Sequence, residues 1–145
     1  MQNFLKASDA DSLAVHAMAL LAVNDGRLLR IKDIAEMFGI SHAHLAKVLN
    51  RLVRAGLVAA SRGPMGGYRL KRPAHTITLR EIYTAIEGDS GGSGCMFTVP
   101  RCNGTGCMLG DFFTEQSKQI DEKLGRTRLS DIHLRPGVFP NLSQT

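Results

Sequence analysis

The segment that decides the fold runs from residue 31 to residue 70 and reads IKDIAEMFGISHAHLAKVLNRLVRAGLVAASRGPMGGYRL. Its first apolar residues recur at i, i+3, i+4 and i+7, the spacing of one helix face; they are Ile31, Ile34, Ala35 and Phe38. Gly39 then ends this helix, and the Ser41 hydroxyl can cap the next one by accepting a backbone N–H. The segment therefore begins as a helix, a tight turn and a second helix.

The helix that follows Ser41 has two faces of different chemistry, and it ends near Gly56. Its apolar stripe consists of Leu45, Val48, Leu49 and Leu52. Its polar and cationic face carries His42, Lys47, Asn50, Arg51 and Arg54. A helix that docks on one face and offers cations and short polar groups on the other meets the requirement for reading DNA in the major groove.

A predicted hairpin follows this helix. Short strands at residues 57–60 and 68–70 flank a glycine-rich turn at residues 62–67. Helix, turn, helix and hairpin form the layout of a winged helix-turn-helix domain. We therefore predict a mainly α fold with a small β-hairpin wing. The narrow minor groove concentrates negative potential, so Arg62 at the start of the wing is a candidate contact there.

Further helices lie on both sides of this segment. Residues 12–23 read as a mostly buried helix, and Thr78 with Glu81 forms a capping box that opens a short one. Asp111 is predicted to cap a final long helix. Its narrow apolar stripe consists of Leu109, Phe113, Ile120 and Leu124. So thin a stripe on a polar helix favours pairing with a partner helix, with packing on the chain's own N-terminal domain as the alternative.

These elements divide the chain into four parts. The winged helix-turn-helix DNA-binding domain takes residues 1–87, and a cysteine-containing loop takes residues 88–110. The long dimerisation helix and a short C-terminal helix take residues 111–135, and a flexible tail takes residues 136–145. The predicted assembly is a homodimer.

The charge is concentrated in the first half of the chain. The net charge is +5, and residues 1–75 hold 11 of the 18 Lys and Arg but only 5 of the 13 Asp and Glu, which gives +6. This asymmetry favours a polyanion such as double-stranded DNA as partner. We see no signal peptide and no apolar stretch of membrane-spanning length, and three cysteines do not pair into a disulfide framework. The sequence thus predicts a cytoplasmic protein without a membrane segment.

All three cysteines lie in one glycine-rich stretch. Cys95, Cys102 and Cys107 have the spacing C-x6-C-x4-C. Cysteines that share one ion or cluster must gather, and iron–sulfur clusters are held by thiolates, usually four. The fourth ligand would then be another group. Zinc is a weaker candidate because it favours short C-x2–4-C pairs, and free thiols or a disulfide remain open.

The chain resembles the IscR/NsrR family of bacterial iron–sulfur regulators. The resemblance covers residues 12–133 and is carried by Ile34-Ala35, Gly39-Ile40-Ser41, Leu45, Leu52, Ala55-Gly56-Leu57-Val58 and, above all, the wing segment Arg62 to Tyr68. It implies a dimeric winged-helix regulator with a three-cysteine loop before a dimerisation helix. The family's base-contacting positions match Ala43, Ala46 and Lys47, and its wing arginine matches Arg62. The candidate DNA-contacting residues are Ser41, His42, Ala43, His44, Lys47, Arg51, Arg62, Gly66 and Tyr68.

The cysteine loop departs from the family pattern. The family gaps are often five and five residues but are six and four here, and Gly110 stands where some members have a histidine ligand. Other members take a carboxylate from the start of the first helix. The aligned residue here is Ser12, so we take the preceding Asp11 as the candidate fourth ligand, with His16 as another. The cluster could be [2Fe–2S] or [4Fe–4S].

The predicted function is a DNA-binding transcriptional regulator, a repressor, whose operator affinity depends on the cluster and so on redox state, nitric oxide or iron supply. A winged-helix regulator using free thiols or no cofactor is the alternative. An iron–sulfur electron-transfer protein is a more distant one. The sequence has no nucleotide-binding fingerprint and no catalytic constellation, so we expect no enzyme activity.

Overall fold

A computed structural model describes residues 7–88 and 101–134. Residues 89–100 of the predicted cysteine-containing loop, with Cys95 among them, and the predicted tail at 136–145 lie outside the described residues. The helices are α1 (Asp9–Val23), α2 (Ile31–Phe38), α3 (His42–Arg54), α4 (Leu79–Glu87) and α5 (Met108–Arg126), and the strands are β1 (Val58–Ser61) and β2 (Gly67–Leu70). Single 3-10 turns occur at Ala74–Thr76 and Leu129–Asp131. The mainly helical fold with a small hairpin is as predicted.

The helix-turn-helix unit follows its local signals. Gly39 ends α2 with φ of 65°, a left-handed conformation that glycine adopts without steric cost. The Ser41 hydroxyl accepts the His44 N–H at 3.2 Å and so caps α3. These observations confirm the predicted boundaries of α2 and α3.

The first helix begins earlier than predicted, at Asp9 rather than residue 12. Ser8 is its N-cap. The Ser8 hydroxyl accepts the Asp11 N–H at 3.1 Å, and the Asp11 carboxylate accepts the Ser8 N–H at 3.2 Å. This reciprocal pair is a capping box with aspartate where glutamate is usual.

The core is built around α1, which packs against α3, α4 and β2. Buried apolar residues come from α1 to α4, from β1 and from the turns. Leu129 is completely buried in the same cluster, and its N–H donates to the Ile77 carbonyl at 2.8 Å. The chain therefore returns after α5 to the core formed by α1 to α4, because the turn that follows α5 packs into that core.

The wing is tied to the loop before α2. Strands β1 and β2 pair antiparallel, with Val58 opposite Leu70 and Ser61 opposite Gly67. Leu29 and Tyr68 exchange two backbone hydrogen bonds of 2.9 and 2.8 Å. A Cβ on Gly67 would lie 2.7 Å from the Leu29 carbonyl oxygen, so this close approach requires glycine.

The long helix α5 begins one turn earlier than predicted. Its N-cap is Cys107, whose Sγ accepts the Gly110 N–H at 3.2 Å, so the prediction that Asp111 caps it is wrong. At its other end, the Arg80 side chain donates to the Asp121 carbonyl at 2.7 Å and pairs with the Asp121 carboxylate at 2.8 Å. The described part of α5 is thus anchored to the domain only near its C-terminal end.

Candidate nucleic-acid interface and cysteine segment

Helix α3 presents one face to the core and the other to solvent. Its buried residues are Leu45, Val48, Leu49 and Leu52, each at most 2% exposed. The predicted DNA-contacting residues at its N-terminal end are all exposed; they are Ser41, His42, Ala43, His44 and Lys47. Because the apolar face holds the helix in place, these side chains can enter a groove without disturbing the core.

Arg51, another predicted DNA contact, is exposed and makes a hydrogen bond within the protein. Its Nη1 donates to the Ile86 carbonyl at 2.7 Å, at the C-terminal end of α4. A cation there satisfies a carbonyl that has no partner inside the helix and complements the negative end of the helix dipole. Arg51 therefore joins the recognition helix to the last turn of α4, just before residues 89–100.

A cleft of about 580 Å³ separates α3 from the wing. Arg30 and Lys32 line it from the start of α2, Asn50 from α3, and Arg62 and Tyr68 from the wing. Our site prediction did not include Arg30, Lys32 or Asn50. The exposed polar position of Asn50 on α3 was a usable signal, but the approach of α2 to the wing had none.

Asp11 lies buried at the start of α1, with 4% of its surface exposed. Its Oδ2 accepts the Ser8 hydroxyl at 2.7 Å, whereas its Oδ1 has no hydrogen-bond partner among the described residues. The Ser8 hydroxyl also lies 2.9 Å from the Glu87 carboxylate at the end of α4, and a single proton cannot serve both acceptors at once. Burial, with the charge of Asp11 added, raises the pKa of the nearby Tyr83.

The described cysteines are Cys102, which is exposed, and Cys107, which is half-buried, and both are free thiols. No group of three His, Cys, Asp or Glu residues within 7–88 and 101–134 is arranged to hold a metal ion. The predicted cluster site includes Cys95, which lies outside both of these ranges. His16, the other candidate ligand, places its Nδ1 2.6 Å from the Ser12 carbonyl oxygen.

Comparison with known proteins identifies the family. A family profile named Rrf2 and described as an iron-dependent transcriptional regulator matches residues 7–134. The chain belongs to the Rrf2 family. It is therefore a DNA-binding transcriptional regulator rather than an enzyme, as the sequence predicted.

Individual Rrf2 relatives support the assignment. The HTH-type transcriptional regulator IscR of Vibrio campbellii is 30% identical over 129 residues, which cover 88% of this chain and 77% of that protein. The structure of IscR from T. potens has a TM-score of 0.69 at 29% identity and covers 88% of this chain and 85% of that one. CymR, the global cysteine regulator of B. subtilis, has a TM-score of 0.73 at 26% identity, with coverages of 88% and 95%. These neighbours confirm the winged-helix fold class.

None of the helices in the described ranges combines the length and the apolar composition needed to cross a bilayer.

Proposed function

We propose that this Rrf2 regulator binds a duplex operator as a homodimer and represses transcription, and that an iron–sulfur cluster on Cys95, Cys102 and Cys107 sets its affinity. The observation that carries the proposal is the position of Cys107. Its sulfur is the N-cap of α5, so a change at this sulfur acts directly on the first turn of that helix. The cytoplasm is the expected compartment, because a reducing environment keeps the thiols available.

The donor chemistry of the described cysteines fits a cluster. Cys102 and Cys107 are unpaired thiols, and the Gly110 N–H donated to the Cys107 sulfur is the type of contact that tunes a ligating sulfur. When bound, the cluster supplies a centre that responds to redox state, nitric oxide or iron supply. Asp11 is the candidate fourth ligand, since its buried Oδ1 has no hydrogen-bond partner among the described residues.

Two contacts at the end of α4 would carry the signal to the DNA-binding surface. Arg51 ties Ile86 to the recognition helix, and the Glu87 carboxylate lies 2.9 Å from the Ser8 hydroxyl at the N-cap of α1. The segment that leads to the cysteines leaves α4 at this point. A displacement of that segment would therefore act on α3, and a dimer needs a fixed spacing of its two recognition helices.

Iron and acid-labile sulfide, measured after anaerobic purification, test the cluster. We expect both in the wild type, with visible absorption that Cys102→Ala abolishes together with any cluster-dependent change in DNA affinity. Thr105→Ala, a change in the same exposed loop that leaves all three thiols, serves as the matched control. If wild-type protein reconstituted with iron and sulfide shows no cluster absorption, the sensing proposal is wrong.

The homodimer rests on the apolar face of α5. Phe112, Phe113 and Ile120 are exposed on it, and the pairing of two such stripes would remove them from water. Light scattering should find a dimer for the wild type and a monomer for Ile120→Glu. Thr114→Glu adds the same charge to α5 off this face, so it should leave the dimer intact. A monomeric wild type would contradict the proposal.

A second candidate is a regulator whose thiols respond directly, without a cluster. The exposed free thiol of Cys102 favours this reading. It predicts DNA binding that responds to thiol oxidants in protein free of iron. The same iron measurement separates the two candidates.

A further inference from the structure

The cleft between α3 and the wing has a shape and a charge that the proposed groove contacts do not use. It is open to solvent, and Arg30, Lys32 and Arg62 bring three cations to its walls. Asn50 adds an amide donor from the exposed side of α3. No Asp or Glu is among the described residues that line it.

The geometry of duplex DNA gives this cleft a definite role. A recognition helix in the major groove and a wing in the adjacent minor groove are separated by one sugar-phosphate strand, because that strand is the wall between the two grooves. If α3 and the wing bind as proposed, that strand must pass between them. The cleft is a space of this kind, enclosed by residues of α3, of the start of α2 and of the wing.

The cations on the α2 side are available for such a contact. The Arg30 side chain is 66% exposed and pairs with Asp33 at 3.0 Å, and Lys32 is 73% exposed and lies 3.9 Å from Glu36. Ion pairs as exposed as these contribute little to stability, so exchanging the carboxylates for phosphates costs little. Arg30 also presents the planar fork that matches phosphate oxygens.

We infer that the cleft binds the phosphate backbone of the operator, with Arg30 and Lys32 on α2 as phosphate contacts opposite Arg62. Asn50 adds an uncharged hydrogen bond to the same strand. These contacts position the protein on DNA and do not read its sequence. The inference rests on the proposed docking of α3 and the wing, and it adds α2 to the DNA-binding surface.

Salt dependence of binding tests the inference without knowledge of the operator. The probes are two duplexes of about three helical turns and unrelated sequence. We measure the slope of the logarithm of the DNA association constant against the logarithm of the salt concentration. For Arg30→Gln and for Lys32→Gln, we expect this negative slope to become shallower by about 0.9, because one phosphate contact is lost in each. The affinity for both duplexes should drop by the same factor. Asn50→Ala should weaken binding with an unchanged slope.

The matched control is Lys71→Gln. Lys71 is exposed and follows β2 at the end of the hairpin away from its tip, and its loss removes the same charge. It should leave the slope unchanged. Asp33→Asn releases Arg30 from its carboxylate partner and should tighten binding to both duplexes.

Two results would overturn the inference. One is a slope for Arg30→Gln and Lys32→Gln equal to that of Lys71→Gln, in proteins with the wild-type circular dichroism spectrum. The other is a loss of affinity confined to one of the two duplexes, since that would indicate base reading. If the wild type bound neither duplex, the failure would instead be that of the proposed function.

Discussion

The DNA-binding domain and the long helix α5 bury their apolar residues differently. Helices α1 to α4 all contribute to one buried cluster, and Met18, Leu20, Leu45 and Leu49 have no exposed surface at all. In contrast, none of the 19 residues of α5, all of them within the described part of the chain, is buried. The same amino-acid types thus complete a core in one region and remain on the surface in the other. We conclude that one chain is enough to specify the first region, whereas α5 has an apolar face that residues 7–88 and 101–134 of its own chain leave exposed.

The largest expected effect comes from one substitution made in both regions. Leu49→Ala should lower the free energy of unfolding by about 2–5 kcal/mol, because it leaves a cavity in a closed core. Leu109→Ala, at a position that is 58% exposed on α5, should have little effect. Denaturant unfolding in the Ile120→Glu background, which we expect to be monomeric, measures both. Equal losses would mean that α5 is as well packed within one chain as α3.

The next effect concerns assembly. Phe113→Ala should weaken the dimer by about one to two orders of magnitude, since an aromatic side chain at the centre of an interface is a typical hot spot. Thr114→Ala on the neighbouring position should not. Sedimentation equilibrium gives the dissociation constants. An unchanged constant for Phe113→Ala would place the dimer interface elsewhere.

A side-chain hydrogen bond inside the first region, between α3 and α4, should contribute less. Arg51→Met removes the hydrogen bond to the Ile86 carbonyl, and we expect a loss of about 1–2 kcal/mol in unfolding free energy, with Arg51→Lys in between. The salt slope of DNA binding should stay unchanged if Arg51 remains bound to α4. A salt slope that becomes shallower by about 0.9 would support the sequence-based prediction that Arg51 contacts DNA.

The smallest effect depends on pH. Burial alone would raise the pKa of Glu81, but hydrogen bonds from Thr78 and Arg72 and the charge of Arg72 outweigh it and hold this pKa below its ordinary value of 4.5. Glu81 therefore stabilises the fold above that value, and the contribution is lost as the pH falls through the lowered pKa. The melting temperature of Glu81→Gln should be below the wild-type value at neutral pH and approach it in acid. Arg72→Gln should reduce the pH dependence, and a constant difference at all pH values would contradict this account.

Local signals predicted the elements whose ends are set within a few residues. Gly39 and Ser41 mark the turn between α2 and α3, and Thr78 with Glu81 marks the start of α4, because each makes its decisive hydrogen bond or turn within its own segment. Two helix starts were missed for a chemical reason. Asp11 replaces the usual glutamate of a capping box, and the cap of α5 is the sulfur of Cys107.

By itself, the sequence determined that this is a winged helix-turn-helix regulator. The features that indicate it are the periodicity of α2 and α3, the glycines of the wing and the concentration of positive charge. None of them depends on a contact between residues that are distant in sequence. Only the tertiary structure decided where Arg51 points, since its partner is the Ile86 carbonyl, 35 positions away along the chain. It also brought Arg30 and Lys32 to the wing, through the hydrogen bonds between Leu29 and Tyr68. Contacts between residues distant in sequence depend on how whole elements pack, and a periodic pattern specifies which face of a helix is buried but not which element covers it.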